Sequence, residues 1–168
     1  ATGTGIAHCP QSNGRLGSGI APIPALLRAG APVSLAVDGA ASNEAADMLS
    51  EAHACWLLQR AASGADALSV GDVIRLGTAG GAQVLGLDAV GTLAPGMAAD
   101  LVLYELDQPR HFGLHDPGVA PVACGFATAR AVLVGGRVVV EHGQIPGLDL
   151  AALRAEAAAA VAVMQAHL

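Results

Sequence analysis

Apolar residues in the N-terminal part of the chain fall into short, strand-like runs. Thr4 to Cys9 forms one run, closed by Pro10, and Val33 to Val37 forms another, closed by Asp38-Gly39. Between them, Gln11 to Gly19 is rich in Gly, Ser and Asn and reads as loop. Ile20 to Ala29 reads as a short helix with Ile23, Leu26 and Leu27 on one face, stopping at Gly30. Strand, loop, helix and strand in that order give the rhythm of a parallel sheet with helical crossovers.

The periodicity then becomes helical. Met48, Leu49, Ala52, Cys55 and Trp56 recur at helical spacing after Ser42 or Asn43, either of which can cap the helix, with Glu44 and Asp47 favouring its positive end. Gly64 ends it. A second helix opens at Ser69 with Asp72 in capping-box position and continues through Val73, Ile74 and Leu76. A third runs from about Thr78 to Leu85 and stops at Gly86.

Beyond that point the pattern turns to antiparallel β. Leu101 to Leu106 reads as a strand, and Arg130 to Val134 and Arg137 to Glu141 as two more joined by Gly135-Gly136. Two glycines between valine-rich runs predict a tight hairpin, because both turn positions need positive φ. Asp149 caps a final Ala-rich helix reaching about Gln165. No internal repeat is present.

Composition narrows the function classes. The 168 residues are 53% hydrophobic and 2% aromatic, so the core is aliphatic. Net charge is −6 and the basic residues, all arginine, form no cluster. That disfavours nucleic acid as a partner. No apolar run approaches a membrane span, and the N-terminus has no basic or long apolar signal region. Cys9, Cys55 and Cys124 are widely spaced and odd in number, which argues against a disulfide framework or structural zinc site and for reduced thiols in a cytoplasmic protein.

Asp38 is the first candidate for chemistry. A carboxylate at the C-terminal end of a barrel strand is placed to ligate a metal and to move protons to and from an activated water; the same Asp-Gly step can equally cap the turn that follows. His8 sits at the end of the preceding strand, as a substrate contact, a metal ligand or a buried side chain satisfied by backbone. Asn13 is either a loop-stabilising side chain or a substrate contact. Cys9 points away from its neighbour His8 on a strand, which disfavours a Cys-His dyad. His111 and His115, with Asp116, read as surface or interface residues because Gly113 and Pro117 break a helix there. His53 reads as packing or hydrogen bonding, and His142 and His167 as exposed. The Gly-rich stretches match no phosphate-binding pattern.

Three segments together carry a resemblance: Gly5-Ile6-Ala7-His8-Cys9-Pro10-Gln11-Ser12-Asn13, Gly19-Ile20-Ala21-Pro22, and Val37-Asp38-Gly39-Ala40-Ala41-Ser42-Asn43. They resemble the amidohydrolase superfamily, in its purine and triazine aminohydrolase branch. Gly91 to Val102 resembles the element closing that family's β-sandwich, with Met97 where lysine is commoner, and Val134 to Val139 resembles its terminal hairpin. Cys9, Arg15-Leu16 and Leu114-His115-Asp116-Pro117 look most like 8-oxoguanine deaminases.

The resemblance implies an α/β fold: the last two strands and helices of a metal-dependent (β/α)₈ barrel over 1–88, a β-sandwich segment over 89–145 and a C-terminal helix over 146–168. It implies Asp38 as metal ligand and catalytic proton carrier, His8 and Asn13 as substrate-binding residues, and a divalent metal, zinc or iron. The implied reaction is hydrolytic deamination of an amino-substituted purine such as 8-oxoguanine or isoguanine. The family's His-x-His pair is not in this sequence, so the remaining ligands are expected from a missing N-terminal barrel segment or a partner chain, in a homo-oligomer. A triazine aminohydrolase or chlorohydrolase, a non-catalytic interaction module, and a fragment without independent function stay open beside this reading.

Overall fold

The structure, a computed structural model, describes residues 2–166. Strand β1, Ile6–His8, pairs in parallel with β2, Val33–Leu35, in the register Ile6 to Val33 and His8 to Leu35. The ladder extends beyond both ends, because Pro32 O accepts from Ile6 N and His8 O accepts from Ala36 N, each at 2.9 Å. The two strands are shorter than the apolar runs containing them.

The segment expected as loop is a helix. Helix α1, Pro10–Leu16, begins at a proline whose missing N–H costs nothing in the first turn, and ends at Gly17 in the left-handed region. Asn13 and Gly14 disfavour this helix by propensity, but tertiary bonds override them. Gln11 Nε2 donates to Ser50 Oγ at 2.7 Å, and Gln11 N donates to Glu51 Oε2 at 3.1 Å. Helix α2, Ile23–Arg28, leads into β2 and buries Ile23 completely.

Helix α3, Met48–Ser63, starts later than the sequence predicts. Its cap is Asp47, which accepts from Leu49 N and Ser50 N. Asn43 is unavailable as a cap because its side-chain amide donates to Val37 O and to Glu51. The inward face also differs from the apolar stripe expected. Ala52 and Cys55 are buried, but so are Glu51 and Gln59, each fully, whereas Met48 is exposed. Gln59 Nε2 donates to Ala21 O at 2.9 Å, so both buried polar side chains of α3 serve backbone groups of the preceding segment.

Helix α4, Val70–Gly77, opens with the predicted capping box, in which Ser69 Oγ accepts from Asp72 N and Asp72 Oδ2 accepts from Ser69 N. Helix α5, Ala79–Leu85, ends at Gly86 in left-handed conformation. The core is one aliphatic cluster in which Ile23, Val33, Leu35, Cys55, Val73 and Leu76 are central.

A second sheet follows, antiparallel, in the order β3, Leu101–Glu105, β4, Thr128–Val134, and β5, Arg137–Glu141. Gly135 and Gly136 take φ of 56° and 78°, as the tight hairpin requires. Helix α6, Ala120–Ala123, ties the connection back to the core through Val122, and His53 Nδ1 lies 2.8 Å from Val122 O. Helix α7, Leu150–Gln165, is capped by Asp149 as predicted. Among the described residues no helix is long and apolar enough to cross a membrane.

Two expected outcomes follow from this packing. A Cβ added at Gly80 would lie 2.5 Å from Val33 O, a backbone atom of β2. Gly80→Ala therefore forces α5 off β2 and is expected to destabilise by about 1–3 kcal/mol, read as a lowered thermal midpoint; an unchanged midpoint refutes the close approach. Glu51→Ala strands the Gln11 N–H and the Asn43 amide and costs about 1–3 kcal/mol for each donor left without a partner. Burial raises the Glu51 carboxyl above its ordinary range. Its contribution to stability is thus complete below the ordinary carboxylate pKa and declines as pH rises through the raised folded-state value. Urea unfolding across mildly acidic to neutral pH should show that decline in the parent and a flatter profile in Glu51→Gln.

Candidate functional site

The site grows out of the end of β2. After Leu35 the chain leaves the ladder, and Asp38 adopts φ of 65°. Left-handed backbone costs a non-glycine residue roughly 1–2 kcal/mol, less for Asp, whose side chain can bond locally. Here both carboxylate oxygens are engaged. Asp38 Oδ1 accepts from Gly39 N at 2.8 Å, and Oδ2 accepts from Ser12 Oγ at 2.7 Å and from Ser42 Oγ at 3.1 Å. The Ser12 hydroxyl first, then the Gly39 N–H and the Ser42 hydroxyl, hold the Asp38 carboxyl below its usual range, so it is ionised near neutrality. The residue itself is exposed. Turn stabilisation through Gly39 and a free, ionised carboxylate coexist at this one position, so the two readings of the Asp-Gly step are not exclusive.

Behind Asp38 lies a layer of buried polar groups that sequence reading missed. Ser12 is 1% exposed and Asn43 4%. Asn43 Oδ1 accepts from Ala46 N, and its amide nitrogen joins Val37 O to Glu51. The same Glu51 takes the N–H at the start of α1, the helix that carries Ser12. Outside this layer, Arg15 and Glu44 form an exposed ion pair at 2.8 Å, an interaction worth little by itself. Ser12, Asn43 and Glu51 could have been noticed only as polar residues at positions where helical spacing calls for apolar ones.

The other candidates are placed differently. His8 is 3% exposed, and neither ring nitrogen has a partner among the described residues. Strand alternation puts it on the face of Ile6, and its register partner Leu35 is part of the core. Burial lowers its pKa, so the ring is neutral near pH 7. The exposure expected of a substrate contact is therefore absent at His8. Asn13 is half-buried on α1 beside Ser12, and its side chain makes no hydrogen bond among the described residues.

Cys9 lies close enough to Asp38 for the two groups to influence each other. Burial, and then the Asp38 and Glu51 charges, raise its pKa, which keeps it a thiol and leaves no basis for a nucleophilic cysteine. Cys55 is pushed up to about 12 by burial.

His111 corrects the expectation of a surface residue. The short turn Pro109–His111 tucks its ring inward, where Nε2 lies 3.2 Å from Phe126 O and exposure falls to 6%. His115 and Asp116 are exposed, and Asp116 caps the next turn through Gly118 N. His142 is exposed and His53 half-buried, as expected; His167 lies outside the described residues.

Among the described residues no group of three or more His, Cys, Asp and Glu side chains could hold a metal ion. Asp38 fits a metal as one ligand, because it is ionised, exposed and oriented, with Oδ1 bonded only to Gly39 N. A catalytic metal takes about three protein ligands, and the described residues supply one. A cleft of about 720 Å³ lies between α4, α5 and β3, lined by apolar residues such as Leu85, Leu93 and Val102, and includes none of the Asp38 cluster.

Comparison with known proteins is consistent with this arrangement. The amidohydrolase family matches residues 1–139. An isoxanthopterin deaminase from an unknown prokaryotic organism is 54% identical over 172 residues, covering 93% of this chain and 36% of the relative. An 8-oxoguanine deaminase from Pseudomonas aeruginosa is 47% identical over 162 residues, covering 96% and 36%. The crystal structure of an amidohydrolase from a Sargasso Sea environmental sample superposes with TM-score 0.88 at 51% identity, covering 99% of this chain and 38% of that one. An atrazine chlorohydrolase from Arthrobacter aurescens TC1, complexed with zinc, gives TM-score 0.85 at 32% identity, covering 94% and 36%. This chain thus spans little more than a third of the length of these relatives, and by sequence and by fold it belongs to the amidohydrolase family.

Proposed function

We propose that this chain is the C-terminal part of a metal-dependent aminohydrolase that deaminates an amino-substituted fused heterocycle. In this reading residues 1–88 end the barrel, 89–145 form a β-sandwich segment and 146–168 a C-terminal helix. The observation that carries it is Asp38: an ionised carboxylate at the end of a parallel strand, held in a strained backbone conformation by Ser12, Ser42 and Gly39, within an amidohydrolase chain.

Asp38 is assigned as a metal ligand and as the catalytic proton carrier. Asp38 would hold zinc or iron together with further ligands, and the metal would supply the polarisation that makes water a nucleophile near neutral pH; zinc in the related atrazine chlorohydrolase supports the first choice. Asp38 accepts a proton from the attacking water and delivers it to the amino nitrogen, which leaves as ammonia while the ring carbon keeps the water oxygen. A carboxylate held ionised by three donors is in the form that can accept a proton and, being a weak base, passes it on readily. Asn13, half-buried on α1 next to Ser12 in sequence, is proposed to contact the heterocycle. His8 contributes a buried, neutral wall.

Asp38→Asn retains shape and removes the proton acceptor. In the full-length protein, turnover is expected to fall at least about a hundredfold, in line with loss of a general base, and zinc content per chain to drop. Near-normal turnover would make Asp38 a turn cap only.

The substrate reading rests on the relatives. Isoxanthopterin and 8-oxoguanine are both fused bicyclic compounds with an amino-substituted oxopyrimidine ring, and proteins named for their deamination are 54% and 47% identical to this chain. An oxidised or isomeric guanine is the proposed class, on the resemblance of Cys9, Arg15-Leu16 and Leu114-His115-Asp116-Pro117 to 8-oxoguanine deaminases, with a pterin the second reading on the strength of the higher identity. Ammonia release measured over 8-oxoguanine, isoguanine, isoxanthopterin, S-adenosylhomocysteine and a triazine should favour the first two. A site built to pair polar ring groups rejects the wrong ring by orders of magnitude, so preference for isoxanthopterin promotes the pterin reading and preference for the triazine overturns both.

A further inference from the structure

From the hydrogen bonds around Asp38 we infer that Ser12 and Ser42 form a two-hydroxyl clamp that fixes the orientation of the carboxylate, so that one oxygen is held and the other is presented for chemistry. This rests on the role proposed for Asp38. The three side chains come from two places in the chain, Ser12 from α1 and the other two from the loop after β2. They converge on one oxygen. Asp38 Oδ2 lies 2.7 Å from Ser12 Oγ and 3.1 Å from Ser42 Oγ, and the two hydroxyls lie 2.9 Å apart. Ser42 Oγ also lies 3.3 Å from Gly39 O.

Each hydroxyl has one hydrogen to give. Ser12 Oγ has two acceptors within reach, Asp38 Oδ2 and Ser42 Oγ, and the charged carboxylate is both the nearer and the stronger. With Ser12 donating to Oδ2, its own oxygen is an acceptor for Ser42; in the alternative, in which Ser12 donates to Ser42, the Ser42 hydroxyl can donate to Oδ2 in its place. Oδ1 receives only the Gly39 N–H. The unfilled acceptor capacity of the carboxylate therefore sits on Oδ1, the oxygen available to a metal or a reacting proton. A half-turn about the Cβ–Cγ bond only exchanges two equivalent oxygens; what the Ser12 hydroxyl, 1% exposed, opposes is an intermediate rotation that would take its charged acceptor away.

Ser12 is thus a positioning residue, not a catalytic one. Its burial matters, because a hydroxyl in contact with solvent could swing away between turnovers. Helix α1 supplies the rigidity, since its first turn is fixed by Glu51 and Ser50. Removing an outer partner of a metal-ligating carboxylate commonly costs about 10–100-fold in metal affinity or activity.

The test is a double-mutant cycle in the full-length enzyme with Ser12→Ala, Ser42→Ala and Asp38→Asn. Three quantities are read for each: kcat and KM separately, zinc retained per chain after dialysis against a weak chelator, and thermal midpoint. Ser12→Ala is expected to lower kcat about 10–100-fold with KM within about twofold, and to weaken zinc retention by a similar factor. Ser42→Ala, in a half-buried loop position that folding tolerates, should do the same to a smaller extent. In the Asp38→Asn background, Ser12→Ala should cause no further loss of zinc, because the group it positions is gone.

Wild-type kcat and zinc retention in both serine variants overturn the clamp. An equal zinc loss on adding Ser12→Ala to Asp38→Asn also overturns it, by showing a merely structural role. If instead Asp38→Asn keeps full turnover, the reading of Asp38 itself fails, which is a separate outcome visible before any serine is changed.

Discussion

One buried carboxylate makes the rest of the site possible. Glu51 has no exposed surface, yet it is the group through which α1, α3 and the loop after β2 meet. Removing a carboxylate from water is costly unless its lone pairs are filled. Here one oxygen takes the Gln11 backbone N–H at 3.1 Å and the other takes the Asn43 amide. Neither donor is charged, so the balance between burial and hydrogen bonding is close, and burial wins in setting the direction of its pKa. The arrangement is therefore better understood as specifying geometry than as adding stability. Ser12 is one residue beyond Gln11 and Asp38 one residue beyond Val37, whose carbonyl also accepts from Asn43. Fixing Glu51 fixes both ends of the Ser12 to Asp38 bond.

What the sequence made legible, and what it hid, follows from the kind of signal each residue sends. The hairpin at Gly135-Gly136, the capping box at Ser69 and the cap at Asp149 were readable because each depends on local chemistry within a few residues, and the two parallel strands because each is a short apolar run of its own. Helix α1 was not. Its Gly, Ser and Asn content reads as loop, and it becomes a helix only because Ser50 and Glu51, some forty residues away, take its first-turn groups. The start of α3 moved for the same reason: Asn43, a good cap by type, is occupied elsewhere, and Asp47 takes its place.

The site shows the same division. Asp38 stood out because a carboxylate ending an apolar run followed by glycine is a local pattern. His8 stood out for an equally local reason, its place at a strand end, but the register with Leu35 turns its ring toward the core. His111 was misplaced because a short proline turn, which no periodicity reveals, buries it beneath Phe126 O. Ser12 and Glu51 drew no notice and Asn43 was read only as a helix cap, although together they hold Asp38. Polar residues on a buried face are visible only when their long-range partners are known, and a single sequence does not supply those.

The clamp also explains how a chain spanning little more than a third of its relatives' length can carry a formed piece of an active site. Every donor to Asp38 comes from within a stretch of about thirty residues of this chain: Ser12, Gly39 and Ser42. Glu51 and Asn43, which support them, are equally local to it. The orientation of the carboxylate and its ionised state are thus set by folding of this part and not by arrival of a metal or of other ligands. In catalytic terms that is preorganisation: the cost of ordering the dipoles is met during folding and does not recur at each turnover. The left-handed backbone at Asp38 belongs to the same account, since strain of that kind persists only where surrounding contacts over-determine it. Under the proposed function, the fold of this chain thus presents Asp38 already aimed as one ligand.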